Sequence, residues 1–307
     1  MKVISGSDIN QIHLAATIGF FDGVHTGHQH LINQVIAISK NKQLASGIVT
    51  FKEHPRKVIQ PDYQPDLITS HEERIQLLSQ TGIDYCIVLD FNFKIAQLTA
   101  KEFIKQILGQ RFSVKSLIVG HDHKFGKDRS DDYTDYVQYG HEAGIEVIKA
   151  DAFQIDKINV SSSMVRKLLS EGKIDRATKF LGRHYSIQGL VIEGLRIGRT
   201  IGYPTANIKA TDPEKIVPSF GVYAVKALVG NIVYGGMLNI GIRPTISENN
   251  ERSIEANLFD FSGDIYGQPI TVYFIEKIRD ERKMNGLEDL KRQLNLDRIN
   301  ALHILGK

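Results

Sequence analysis

Two stretches of this chain gather residue types that bind phosphate. In Gly19-Phe20-Phe21-Asp22-Gly23-Val24-His25-Thr26-Gly27-His28, glycines at 19, 23 and 27 let the backbone turn tightly and approach a ligand closely. His25 and His28, three apart where a helix should begin, can point the same way and donate hydrogen bonds to phosphate oxygens. Spacing alone leaves two other readings open, a surface pair and a zinc pair short of its partners, although no Cys cluster lies nearby. Farther on, Ser161-Ser162-Ser163-Met164-Val165-Arg166 puts hydroxyls at a helix start with Arg166 one turn in. That set suits a triphosphate, and it equally describes an N-cap followed by a solvated arginine.

The second stretch is Gly194-Leu195-Arg196-Ile197-Gly198-Arg199-Thr200-Ile201-Gly202-Tyr203-Pro204-Thr205-Ala206-Asn207. It is too glycine-dense for an ordinary strand pair. Such a loop can lie over phosphates, with Thr205 and Asn207 offering neutral oxygens to a hard cation. The alternative is a Gly-rich hairpin loop with Pro204 at an edge or bulge. Glu255 falls within a β-rich run, between Ile254 and Ala256, where its side chain projects from one face and a carboxylate can be a strand-surface charge.

The elements that must carry these residues follow from periodicity. Short β-rich runs at Ala16 to Phe20, Gly47 to Phe51, Tyr85 to Leu89, Ser116 to Val119 and Ile145 to Lys149 alternate with helical spacing at His28 to Ser39, His71 to Ser79 and Ala100 to Leu108. This repetition predicts an α/β, Rossmann-like domain: a mostly parallel sheet with helices on both faces, and the first glycine segment at a strand-to-helix handover. Helical segments at Ser162 to Leu169 and Ile174 to Leu181 close it. From Tyr185 the texture becomes Gly-punctuated β, with runs at Ser186 to Ile192, Val222 to Leu228, Ile232 to Leu238, Ile254 to Phe259 and Ile270 to Ile275, which reads as an antiparallel barrel or sandwich. A charged helical pattern from Leu287 to Leu302 follows. The boundary is placed near Arg183, giving domains 1–183 and 184–307.

The bulk numbers fit. The 307 residues, 42% hydrophobic and 24% charged, are enough for two globular domains. With 38 Lys+Arg against 35 Asp+Glu the net charge is only +3, too little to argue for nucleic acid as a main partner. The single cysteine, Cys86, lies in an apolar run and suits a reducing compartment. With no apolar run long enough to span a bilayer and no signal-like N-terminal segment, a cytoplasmic protein without membrane partners is expected. The oligomeric state is left open.

Beyond these readings, the segments GFFDGVHTGHQ, TFKEHP at Thr50 to Pro55, VGHDHKFG at Val119 to Gly126 and VSSSMVR together resemble the adenylyltransferase module of the bacterial bifunctional riboflavin kinase/FAD synthetases, part of the HxGH nucleotidyltransferase superfamily. The resemblance implies that His25 and His28 bind ATP phosphates and stabilise transition-state charge, that Ser162, Ser163 and Arg166 hold the triphosphate, and that Asp122 and Phe125 belong to a flavin or adenine loop. The second half is similar to the riboflavin kinase signature GxxxGRxxGxPTAN. That likeness continues through Gly221 to Val225, Asn239 to Thr245 and Ile254 to Phe261, and covers nearly all of Tyr185 to Leu302.

It implies a barrel kinase domain in which Gly198, Arg199 and Gly202 cover phosphates, Thr205 and Asn207 hold Mg²⁺, Glu255 is the general base, and Arg279 is a flavin contact. ATP would be the co-substrate of both steps, with riboflavin, FMN and FAD as substrates or products. Three departures stand out. Gly120-His121-Asp122-His123-Lys124-Phe125-Gly126 and Asp131-Asp132 replace the family's usual GYDFRFG and following Gly-Asp, Ser163 replaces a threonine, and Met284 replaces a common phenylalanine. Two other readings stand beside this one: a nucleotidyltransferase for another acceptor joined to a barrel that only binds ligand, and a flavin-binding regulatory protein, with RNA as one candidate partner, in which one or both sites have lost activity.

Overall fold

A computed structural model of the chain describes residues 1–5, 12–120, 124–127, 130–194, 198, 201–242 and 252–306. It separates into two compact units, Met1–Ser162 and Ser163–Lys307.

The first unit is built on six parallel strands: β1 (Lys2–Ser5), β2 (Leu14–Ile18), β3 (Ala45–Phe51), β4 (Tyr85–Leu89), β5 (Val114–Val119) and β6 (Glu146–Lys149). Their order across the sheet is β1-β4-β3-β2-β5-β6, each neighbouring pair parallel. Runs such as Leu14–Ile18, buried at every position, have no polar face because both sides of the sheet are covered. One apolar core gathers Val35, Ile32, Leu78 and Cys86 on the side of α1 (Thr26–Lys42) and α3 (His71–Ser79). The other gathers Phe103, Ile107, Leu117 and Tyr136 on the side of α5 (Ala100–Glu102), its π-helical continuation Phe103–Arg111, and α6 (Tyr133–Ala143). Two short helices, α2 (Pro55–Ile59) and α4 (Phe93–Ala96), follow β3 and β4. A two-stranded ribbon, β7 (Gln154–Ile155) and β8 (Ile158–Asn159), precedes α7 (Ser162–Ser170).

The order matters for function. From β2 the chain moves to β3 on one side and later returns to β5 on the other, so β2 and β5 flank a topological switch point. Open parallel sheets bind ligands in the crevice outside the carboxyl ends of such strands. The glycine-histidine segment leaves β2 there.

In the second unit α7 leads into α8 (Ile174–Leu181), followed by β9 (Ser186–Ile192), β10 (Ala206–Ala210), β11 (Gly221–Val229), β12 (Ile232–Ile242), β13 (Arg252–Leu258), β14 (Pro269–Arg279) and α9 (Leu287–Ile304). The six strands close antiparallel in the order β10-β13-β12-β11-β14-β9, so the barrel form holds over the sandwich. Closure leaves no open edge. Ala301 of α9 packs with Tyr203, Ala224, Met237 and Phe259, which seats the last helix on the barrel. The second unit also takes in α8, whose Ile174, Ala177, Phe180 and Leu181 are buried, and Ser219 donates its N–H to the Leu169 carbonyl at 3.3 Å. Packing thus divides the chain in the first turn of α7.

Among the described residues no helix is long and apolar enough to cross a membrane. Cys86 is free and buried, and burial pushes its thiol up to about 11.

Candidate functional site

The first site begins where β2 ends. Gly19 donates its N–H to the Val49 carbonyl at 3.0 Å, and the chain then makes a single 3-10 turn, Asp22–Val24. Phe21 (φ 56°), Gly23 (φ 80°) and Val24 (φ 38°) all have left-handed backbones. Gly23 fits that conformation, and a Cβ there would meet Ile68 Cγ2 at 3.0 Å. Phe21 and the β-branched Val24 do not, and each holds strain of about 1–3 kcal/mol of the kind found at ligand clamps. Asp22 explains how the turn persists. Its buried carboxylate accepts from Ile68 N at 3.0 Å, Thr69 N at 3.0 Å and Thr69 Oγ1 at 3.1 Å, while Thr69 Oγ1 accepts from Gly23 N at 3.0 Å. Asp22 therefore clasps the loop to the segment before α3.

Helix α1 starts immediately after, with Gly27 as its second residue. His25 is the N-cap: its Nδ1 accepts from the His28 N–H at 3.2 Å, which leaves the proton of a neutral ring on Nε2. The two imidazoles stack, centroids 3.6 Å apart and planes 16° apart, and Phe21 meets His28 edge-on at 5.0 Å. The sequence expectation that both rings share one direction holds. The rings thus stand at a helix N-terminus, where unpaired backbone N–H groups and the helix dipole favour anions. Ser162 Oγ donates to the Asp22 carbonyl at 2.9 Å, joining the serine run to this turn. Ser163 is exposed and Arg166 half-buried on α7.

In the loop after β5, Phe125 stacks on Tyr136 at 4.4 Å, and its N–H donates to the Tyr136 hydroxyl at 3.1 Å, so its ring is anchored against the core. Asp122 lies outside the described residues. The departure at Asp132 has a local role: it N-caps α6, accepting from Thr134 N at 2.7 Å, in a capping box with Asp135.

The second site lies on the barrel wall. A cavity of about 300 Å³ is lined by Thr205, Asn239, Glu255, Asn257, Arg279 and Met284, among others. Gly198 has to be glycine, because a Cβ there would come 2.2 Å from the Tyr203 carbonyl oxygen. Gly202 is in the adjoining turn with φ 85°, and Arg199 lies outside the described residues. Asn207 pairs with Glu255 in the β10–β13 register, and Asn239 pairs with the same Glu255 across β12–β13. Paired residues share a face of the sheet, so the carboxylate has an amide on each side. A Cβ on Gly194 would fall 2.0 Å from Asn207 Nδ2, so that glycine makes room for the amide.

Three residues at this site carry no signal of their own in the sequence. Asn257 donates from Nδ2 to the Pro204 carbonyl at 2.7 Å and fixes the Pro-Thr-Ala-Asn turn. Asn239 flanks the carboxylate. Asp297, fully buried on α9, grips Arg279 through Nε–Oδ1 at 2.9 Å and Nη2–Oδ2 at 2.7 Å. Arg279 thus faces the cavity with its guanidinium locked in a bidentate fork. Met284, the apolar replacement noted in the sequence, lines the same cavity.

A glycine-histidine turn at the switch point of a parallel sheet, and a carboxylate-bearing cavity on a closed barrel, make up a two-unit architecture that fits a nucleotide-handling transferase. Comparison with known proteins agrees. The FAD synthetase family matches residues 8–164 and the riboflavin kinase family residues 181–305. The Bacillus subtilis (strain 168) bifunctional riboflavin kinase/FMN adenylyltransferase is 40% identical over 290 residues, covering 93% of this chain and 90% of that protein. Its Escherichia coli (strain K12) counterpart is 34% identical over 311 residues, covering 100% and 98%. A crystal structure from Streptococcus pneumoniae, described as a macrolide-efflux protein, superposes with TM-score 0.84 at 32% identity over 97% of each chain. The chain belongs to the bifunctional riboflavin kinase/FMN adenylyltransferase family.

Proposed function

We propose that this chain phosphorylates riboflavin to FMN in the barrel and adenylylates FMN to FAD on the parallel sheet, using one ATP in each step. The observation that carries the kinase half is Glu255, which lines the cavity with Asn239 and has Asn207 as its other cross-strand neighbour. Glu255 accepts the proton of the riboflavin 5′-hydroxyl as that oxygen attacks the γ-phosphorus, and ADP leaves. Gly198, Arg199 and Gly202 belong to the loop over the phosphates. Arg279, 20% exposed and held flat by Asp297, offers a fixed guanidinium plane to the flavin ring system.

Thr205 and Asn207 supply neutral oxygens that suit Mg²⁺, with Gly194 leaving room beside Asn207. When bound, the ion offsets phosphate charge. In the adenylyl step an oxygen of the FMN phosphate attacks the α-phosphorus of ATP and pyrophosphate leaves, so no protein nucleophile is required. His25 and His28 stabilise the charge that develops, with Gly19, Gly23 and Gly27 shaping the turn around it. Ser162, Ser163 and Arg166 hold the triphosphate, and Phe125 with Asp122 borders the acceptor.

We assign adenylyl transfer to 1–183 and kinase activity to 184–307. Helices α7 and α8 go with the first activity, since α7 carries Ser163 and Arg166, even though they pack in the second unit. The free thiol of Cys86 and the small-molecule substrates fit a cytoplasmic enzyme without nucleic-acid partners. Purified protein given riboflavin, ATP and Mg²⁺ should release ADP in step with FMN, then pyrophosphate in step with FAD. Folded protein that forms neither flavin product would refute the reading.

A further inference from the structure

The most deeply buried cation of the first unit belongs to no motif. Arg74, in the first turn of α3, is 0% exposed and has no carboxylate within salt-bridge distance among the described residues. Burying an unpaired charge is expensive, so its contacts need a reason. Nη2 donates to the Phe51 carbonyl at 2.7 Å and the Lys52 carbonyl at 3.0 Å, where β3 ends, and lies 3.3 Å from His71 Nδ1. The guanidinium carbon sits 4.1 Å over the Phe20 ring, one residue before the left-handed turn. The His54 ring meets the same Phe20 ring edge-on, centroids 4.8 Å apart. Thr50 Oγ1 donates to the Phe20 carbonyl at 3.2 Å. Nε and Nη1 are buried without hydrogen-bond partners among the described residues. Burial lowers the guanidinium to about 10, partly offset by the nearby Asp22 carboxylate, so the group remains a cation at neutral pH.

One side chain therefore joins the exits of β2 and β3, the two loops at the carboxyl edge beside the switch point. Asp22 closes the circuit from the other end by holding Ile68 and Thr69 just before α3. We propose that Arg74 is a positioning residue for adenylyl transfer: it fixes the spacing between the nucleotide cradle at 19–28 and the Thr50–Pro55 segment, and so the alignment of the two reacting phosphates. This rests on reading the first unit as an FMN adenylyltransferase. A lysine at this position keeps the charge but has neither the planar fork nor the flat face that stacks on Phe20.

The test uses the full chain as R74K, R74M and Phe20→Leu, assayed for FAD formation from FMN and ATP, with riboflavin phosphorylation by the same preparations as the internal control. Misalignment should lower kcat for FAD formation about 10-fold to 100-fold in R74K and R74M, with KM for ATP within about 3-fold and kinase activity unchanged. Phe20→Leu should cost less, and adding it to R74K should cost nothing more, since both remove one contact. If R74M does not fold, R74K decides, because its charge is retained. Wild-type kcat in folded R74K, or a loss that only tracks the fraction of folded protein, would overturn the proposal. Wild-type protein that phosphorylates riboflavin but makes no FAD would sink the underlying reading, and the proposal with it.

Discussion

Glu255 on β13 stands directly across from Asn207 on β10 and from Asn239 on β12. In this row the carboxylate proposed to take a proton sits beside the amide proposed to hold the nucleotide's cation. Glu255→Gln keeps size and hydrogen-bonding capacity but removes basicity. Riboflavin phosphorylation should lose about 10² to 10⁴ in kcat, while KM for riboflavin and ATP changes little. A variant whose KM rises with kcat intact would make Glu255 a binding residue instead.

The pair Arg279 and Asp297 predicts a stability effect. Asp297→Ala leaves a largely buried guanidinium without its partner and frees Gln293 Nε2, which donates to Asp297 Oδ1 at 2.7 Å. Breaking a buried pair from one side costs about 3–5 kcal/mol. Urea unfolding followed in the second unit should show a loss of that size, and a loss below about 1 kcal/mol would mean that the pair does not hold α9 on the barrel.

His71 gives a pH signature. Its folded pKa is lowered below 6.5, by burial first and then by the Arg74 charge. The folded state therefore resists protonation, and the contribution of His71 to stability is present above about pH 6.5 and lost as pH falls through and below it. The Tm of the first unit should drop between about pH 7 and about pH 5, and His71→Gln should flatten that slope. An unchanged slope would remove His71 from the linkage.

Because α7 and α8 pack with the barrel, where a kinase fragment starts should matter. A fragment from Tyr185 exposes the surface that Phe180 and Leu181 cover, each contributing about 1.5–3 kcal/mol when fully buried. A fragment from Ser163 should melt higher and keep more kinase activity than one from Tyr185. Equal melting temperatures would show that the two helices contribute nothing to the barrel.

Much of this was legible in the sequence, and the exceptions share causes. Tyr85–Leu89, His71–Ser79 and Ser186–Ile192 match their expected bounds because unbroken apolar runs or regular spacing mark them. β10 escaped notice because it sits at the end of a glycine-dense stretch whose texture says loop, and α6 because its buried stripe is Tyr136 and Gly140 rather than aliphatic. The contiguous glycine, histidine and serine motifs could be read directly. Asp297 and Arg74 could not: each is a single charged residue within a helical pattern, and only the folded chain shows that both are buried against partners 18 to 23 positions away. Asn239 and Asn257 gain their roles from strand register, which periodicity does not supply.

Two separate sites carrying two consecutive reactions should be separable in one assay: His28→Ala and Glu255→Gln given riboflavin, ATP and Mg²⁺ side by side, then FMN and ATP. Folded His28→Ala should accumulate FMN at nearly the wild-type rate and make little FAD from either substrate. Folded Glu255→Gln should make little FMN from riboflavin yet convert supplied FMN to FAD normally. Parallel loss of both activities in either folded variant would contradict that separation.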